Sequence, residues 1–168
     1  SASPDPAATH AAMQKLDLIV GIHTKLNRSH LLHGRDALVL PALARSDLDA
    51  QAGGVQSVTV EDSMSMVHAS RGFNPPPSSE VRSEPAIVAG IAAATLPASR
   101  IRWLDLANDY DRIRDLIEAT VPGFERYNER IREPGGFHLP NAAAQRQWKT
   151  PSGRAELRTA TSGAMASQ

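Results

Sequence analysis

The sequence contains no cysteine. That removes disulfides, thiolate metal ligands and cysteine nucleophiles together, and it gives no sign of an oxidising compartment. Aromatic residues make up only 4% of the chain. Large rings bury the most area each, so a chain short of them builds its core from alanine and small aliphatics, with less stabilisation per residue. An excess of charge is missing too: 18 basic residues offset 18 acidic ones, so no net field draws the chain to nucleic acid or to an anionic membrane. No apolar run approaches the roughly 20 residues that span a bilayer, and the N-terminus carries no signal-peptide pattern. These absences predict a soluble, cytoplasmic protein with neither nucleic acid nor membrane among its partners. What is plentiful is punctuation, with 12 prolines and 11 glycines in 168 residues. That length suits one domain, or one and a piece of another. Ser1 stands where an initiator methionine would, and "TATSGAMASQ" closes the chain as a weakly structured tail; the expectation from both ends is a piece of something larger.

Pro6 is placed to start a helix through "AATHAAMQKL", whose alanines favour it. "LDLIVGI" (16–22) and "DALVLP" (36–41) read as strands buried on both faces, because their apolar residues are continuous rather than alternating. Between them "SHLLHG" predicts a short helix with Ser29 as N-cap and Gly34 as its stop. Helix, strand, short helix, strand is the rhythm of a parallel α/β sheet. "ARSDLDAQAGGVQ" then reads as a polar loop, and Ser57–Val60 as a short strand followed by an irregular segment. "FNPPPSSEVRSE" is a proline-rich connector. "SEPAIVAGIAAATLP" predicts a helix capped by Ser83 and ended by Pro97, with Ile87, Val88, Ile91 and Leu96 as its apolar face. From Asn108, two charged amphipathic helices are expected, broken at Pro122-Gly123. Ile113, Leu116 and Ile117 mark one stripe, and Phe124, Tyr127 and Ile131 the other. Their charged pairs read as solvated faces, each pair contributing about 0.3–0.5 kcal/mol.

Candidate chemistry concentrates in "HTKLNRSHLLHG", which holds three of the six histidines. His30 and His33 would share a helix face, but zinc needs a third ligand and a supporting shell, and no acidic residue lies in the same short helix. An anion cradle fits the residues better. Lys25 and Arg28 bring full charges; Thr24, Asn27 and Ser29 bring neutral hydrogen bonds; and amides at a helix start favour anions. Phosphate or a nucleotide would suit such a set, although neither a glycine fingerprint nor a Gly-Lys-Ser/Thr loop is present. The plainer alternative, a polar loop with a cap, stands beside it. Ser63, Ser65, His68 and Ser70 cluster with Glu61 and Asp62, yet no G-x-S-x-G elbow presents a nucleophile. Glu84 falls in the first turn of a helix, where the dipole stabilises a carboxylate; it is equally suited to accept hydrogen bonds from a base edge beyond the sheet.

The order "LDLIVGIHTKLNRSH…ALVLPALARSD…VTVEDSMSMVHASRG…SEPAIVAGIA", followed by "TPSGRAEL", resembles the later part of a molybdopterin-dependent oxidoreductase catalytic subunit of the formate-dehydrogenase-like branch. The resemblance runs from about Ala7 to Leu157. It implies an α/β fold: a partial Rossmann-like parallel sheet with flanking helices and a C-terminal helical insertion. Residues 1–107 would belong to the molybdopterin-dinucleotide-binding domain, 108–147 to a charged helical segment, and 148–168 to the truncated start of a C-terminal dinucleotide-binding barrel.

By position, the resemblance implies that Ile22, His23, Thr24 and Lys25 meet a guanine dinucleotide, with His23 standing where relatives often carry an acidic residue. Glu84 stands where relatives turn an aspartate toward the nucleotide, and Asp47 or Asp49 lies nearby. The implied cofactor is molybdenum bis-molybdopterin guanine dinucleotide. Its molybdenum ligand and the iron–sulfur cluster of the parent subunit would lie outside this chain. The implied partners are the remaining domains of the same subunit and an electron-transfer protein. The implied reaction of the parent is two-electron oxidation of a small substrate, formate first among them, with the fragment inactive alone. The competing expectation is a non-catalytic interaction module that docks through the charged helices 108–133.

Overall fold

The computed structural model describes residues 5–157. It divides into two compact units, one formed by residues up to Pro41 together with those from Gln147 onward, the other by Ala42–Arg146.

In the first unit Asp5 caps helix α1 (Pro6–Met13), its carboxylate accepting the Ala8 N–H at 2.9 Å. Strand β1 (Leu18–His23) pairs in parallel with β2 (Asp36–Pro41) from Leu18↔Asp36 to His23↔Pro41. The connection passes through one four-residue 3-10 helix, Arg28–Leu31. Gly34 makes the return possible: a Cβ there would stand 1.9 Å from the Leu16 carbonyl oxygen. Gly34 therefore serves a close approach between backbones and does not end the helix, whose C-cap is Leu32.

Two expectations change here. Among the described residues the parallel sheet is this pair alone, fewer strands than expected. The strands read as buried on both faces are open, with Leu18, Val20, Leu38 and Val39 exposed. Continuous apolar character reports what a strand prefers to face, and in these residues nothing supplies that layer.

The second unit contains two antiparallel sheets. The "AQAGGV" stretch is not a plain loop but a hairpin of β3 (Ala50–Gln51) and β4 (Gly54–Val55). Strands β5 (Val58–Glu61) and β6 (Met66–Ser70) form a second hairpin, extended by β7 (Phe137–His138). The segment read as irregular is thus half strand and half turn. Asp62 Oδ1 accepts the amides of Met64 and Met66 at 2.8 and 3.0 Å, and Ser65 takes a left-handed φ of 61°. Those two backbone N–H groups hold the Asp62 carboxyl below its usual range. Gly136, at φ +71°, lets β7 reach the sheet, since a Cβ there would meet the Val67 carbonyl oxygen at 1.9 Å.

Helix α2 (Glu84–Thr95) begins at Ser83 as read. It buries Ala89 and leaves Val88, Ile91 and Leu96 exposed, so the expected apolar face is the outer one. The small face faces inward because α2 packs against the unforeseen α3 (Trp103–Asn108), and small side chains permit a close approach. The break at Pro122-Gly123 holds, between α4 (Tyr110–Thr120) and the short α5 (Tyr127–Arg130). Residues 108–147 are therefore not purely helical, since β7 lies among them.

The core joins Val67, Tyr127, Ile131 and Phe137, with Ile117, Phe124 and Leu139 at its edge. Tyr127 and Phe137 meet edge to face at 5.6 Å between centroids. Arg130 stacks 3.7 Å over the Phe137 ring, a cation–π contact.

The charged pairs of these helices lie on a solvated face, as with Arg126 and Glu129, but one arginine turns inward. Arg114 is buried; its guanidinium donates to Asn128 Oδ1 at 2.7 Å, to the Ser57 carbonyl at 3.1 Å and to Asp111. Asp111 also accepts from Arg132. Burial works to raise the Asp111 pKa, but the hydrogen bonds and charges of Arg114 and Arg132 outweigh it and hold it below the ordinary 3.8.

A depressed carboxylate pKa contributes stability that is complete above the unfolded value and is lost as pH falls through the folded one. Urea unfolding of the second unit is therefore expected to show an Asp111 contribution that is constant from pH 7 to pH 5 and drains away below about pH 4. Asp111→Asn should lower the midpoint at pH 6 and flatten its acid dependence.

Candidate functional site

In the first unit, β1 ends at His23, and residues 24–29 leave the carboxyl end of that strand before the 3-10 helix. In open α/β sheets this is the side on which ligands sit. Ile22 and His23 are half-buried, and Thr24, Lys25, Asn27 and Arg28 are exposed. The N-cap is Asn27 rather than Ser29. Its Oδ1 accepts the Ser29 amide at 2.9 Å and the Ser29 hydroxyl at 2.5 Å. His30 returns the favour: its Nδ1 accepts the Asn27 N–H at 2.9 Å, closing a capping box. The same Nδ1 lies 3.0 Å from the Asn27 carbonyl oxygen, and Nε2 is buried without a hydrogen-bond partner. The His30 ring stands edge-on to that of His23, with centroids 4.0 Å apart. Gly21 makes room for the pair, because a Cβ there would lie 2.9 Å from the His23 ring.

The cluster thus sorts into two sets. The Ser29 hydroxyl and the Asn27 carbonyl oxygen are engaged in the turn itself. Lys25, Arg28 and the Thr24 hydroxyl make no side-chain hydrogen bond or ion pair among the described residues. Two uncompensated cations beside a free hydroxyl form a surface suited to an anion, with phosphate the commonest match. His33 bonds only its neighbour, Nδ1 lying 2.9 Å from the Gly34 carbonyl. Among the described residues no group of three or more histidine, aspartate or glutamate side chains is placed to hold a metal ion.

Asp47 and Glu84 belong to the second unit. Asp47 closes its own turn, Oδ2 accepting the Ala44 N–H at 2.8 Å. Glu84 opens α2 exposed, unpaired among the described residues, in the turn where the helix dipole favours a carboxylate. Behind it lies a hub that the sequence reading missed. The buried Tyr110 hydroxyl donates to Asp49 Oδ2 at 2.5 Å and lies 2.8 Å from the Ser83 hydroxyl, the cap of α2. Gln51 Nε2 donates to Asp49 at 2.5 Å and to Ser83 at 3.2 Å, and Gln56 Oε1 accepts the Tyr110 N–H at 2.9 Å. Burial, then the Asp49 carboxylate, push the Tyr110 pKa up, so the phenol stays a donor. The pairing joins residues 61 apart in sequence, which no local pattern reveals.

The hydroxyls near Glu61 and Asp62 make no catalytic set. Asp62 is committed to its turn, its Oδ2 is 4.0 Å from His68 Nε2, and Ser65 is buried beside Asn141. Of the charged helices, Arg114 bonds the Ser57 carbonyl, while Arg130 and Arg132 bond carbonyls within the helical segment itself.

The chain is 57% identical over 158 residues to the Escherichia coli (strain K12) protein named YdeP; the match covers 94% of this chain and 21% of that protein. Over 159 residues it is 50% identical to an uncharacterized oxidoreductase of Mycobacterium tuberculosis, covering 94% of this chain and 20% of the relative. The chain therefore spans about a fifth of the length of the curated relatives it matches. No family model matches it, and no solved structure does.

Removing an N-cap side chain costs about 1 kcal/mol. Asn27→Ala should accordingly raise hydrogen exchange at the Ser29 amide by roughly fivefold while leaving exchange in β5 and β6 unchanged.

Proposed function

We propose that the chain is a cofactor-binding portion of an oxidoreductase of the molybdopterin-dependent, formate-dehydrogenase-like kind, acting in the cytoplasm. The observation that carries the reading is the pair of uncompensated cations, Lys25 and Arg28, standing beyond the carboxyl end of a parallel strand. The oxidoreductase name of the mycobacterial relatives supports the reaction class. The segment order that resembles the molybdopterin family supports the branch. In this reading the β1–β2 pair is part of a Rossmann-like sheet.

In the first unit the residues present fit the pyrophosphate of a molybdopterin guanine dinucleotide. A pyrophosphate needs cations and donors that are not already satisfied, and Lys25, Arg28 and Thr24 meet that condition among the described residues. Asn27 and Ser29 serve by holding the turn, and their hydrogen bonds to each other fix its path. Ile22 and His23 set where β1 ends. In the second unit, taken by itself, Glu84 is an exposed carboxylate in the first turn of α2 and an acceptor suited to the donor edge of a guanine. Asp47 keeps the 44–47 turn closed. When bound, the molybdenum centre would supply the two-electron chemistry, while the protein positions and electrostatically tunes the group. The remaining domains of the subunit, an iron–sulfur cluster and an electron-transfer partner complete the proposed system, with a small substrate such as formate.

A hydrogen bond to a charged group contributes about 1.5–3 kcal/mol. In the full-length protein, Lys25→Ala and Glu84→Ala should each weaken cofactor retention by roughly tenfold or more. Metal analysis and guanine nucleotide released on denaturation read that loss. Full molybdenum loading in both variants would contradict the assignments.

A further inference from the structure

We infer that the second unit carries a binding site for a small aromatic carboxylate, built at the open end of the β5–β6 hairpin around Arg71 and Phe73. Thr59 and Ala69 are cross-strand partners and so share one face of that hairpin. Tyr127 covers the Thr59 position, its hydroxyl 2.8 Å from the Thr59 hydroxyl. Ala69, across from it, is exposed. There a cleft of about 540 Å³ is lined by Val55, Ser57, Ala69, Ser70, Arg71 and Phe73. That volume suits a small molecule, and apolar walls with a few polar groups are what such sites share.

Two side chains choose the ligand. Phe73 is 81% exposed, in a chain whose aromatics are only 4% of its residues. Its exposure is not the looseness of a loop. Gly72 is buried, and a Cβ there would stand 2.1 Å from the Asp47 carbonyl oxygen. The Phe73 and Asn74 amides both donate to the Ser46 carbonyl at 2.9 Å. The backbone is clamped while the ring is held out, which offers a face to a second ring.

Arg71 supplies the charge. Its guanidinium and the Ser57 and Ser70 hydroxyls make no side-chain hydrogen bond or ion pair among the described residues. Through Val55, Ser57 and Ala69 the cleft continues into another of about 480 Å³, walled by Asp109, Asp111, Arg114 and Arg132. Charges of the two signs are balanced there, with both arginines on Asp111. Arg71 is therefore the anchor left for an anion. Its planar fork matches one planar carboxylate, whereas a phosphate monoester carries close to two negative charges, more than Arg71 alone neutralises. The lining around Arg71 holds no histidine, lysine or acidic group, so the cleft is built to bind and not to react.

The test is fluorine NMR of para-fluorobenzoate titrated with the full-length protein. Binding is expected to broaden the probe signal, and Arg71→Gln should weaken it by about tenfold through loss of a charged hydrogen bond. Phe73→Ala should weaken it by roughly threefold or more. Both side chains are exposed, so unfolding in urea should be unchanged in either variant. Para-fluorobenzamide keeps the ring without the charge, and fluoroacetate keeps the charge without the ring; each should bind more weakly than the parent probe. No binding of para-fluorobenzoate at millimolar concentration would overturn the inference. So would binding that is equal in wild type and both variants, or equal for fluoroacetate. The inference does not rest on the cofactor reading, since the probe signal is read whatever the molybdenum content.

Discussion

The second unit depends on one hydroxyl. Tyr110 places it between the Asp49 carboxylate and the Ser83 hydroxyl, and its own amide on Gln56. Three pieces of backbone far apart in sequence meet there: the segment leading into the β3–β4 hairpin, the start of α2 and the start of α4. The composition explains why such a centre is needed. With 4% aromatics and no cysteine, neither a broad ring-filled core nor a disulfide is at hand, and Tyr127 and Phe137 supply one small cluster. Directional hydrogen bonds between partly buried groups take over the task of fixing relative positions, and low local polarity makes each one count for more. The buried Arg114 and its partners repeat the same solution nearby.

That economy bears on function. In the second unit the hub sets the cap of α2 and therefore where Glu84 emerges. In the first, the Asn27–His30 capping box engages Asn27, Ser29 and His30 and leaves Thr24 and the cations unanswered. A turn whose Asn27, Ser29 and His30 bond one another while Thr24, Lys25 and Arg28 stay free presents positive charge and a hydroxyl together, a combination suited to an anion.

Local signals were legible where one physical cause dominates. Uninterrupted apolar runs identified β1 and β2 within two residues, Ser83 with the following proline identified the start of α2, and Pro122-Gly123 the break after α4. Elsewhere tertiary contacts decided. Ser29 and Asn27 are both good caps, and only the geometry of a short 3-10 helix selects Asn27. On α2 the larger residues suggested the inner face, yet close packing with α3 favours the alanines. Arg114 looked like a solvent residue because its partners Ser57 and Asn128 lie far off in sequence. Strand β7 is two residues long and has no periodicity to detect. The positions of Ile22, His23, Thr24 and Lys25 at a strand end followed from the pattern of the sequence. The engagement of Asn27 and Ser29 with each other did not, since it depends on side-chain direction.

The most direct test of this account is a double-mutant cycle on the hub, using Tyr110→Phe, Asp49→Ala and the double variant, with unfolding in urea at pH 7. A hydrogen bond from the Tyr110 hydroxyl to a partly buried carboxylate predicts a coupling of about 1.5–3 kcal/mol. Effects that simply add, to within about 0.5 kcal/mol, would show that the hydroxyl and the carboxylate do not act together, and the second unit would need another centre.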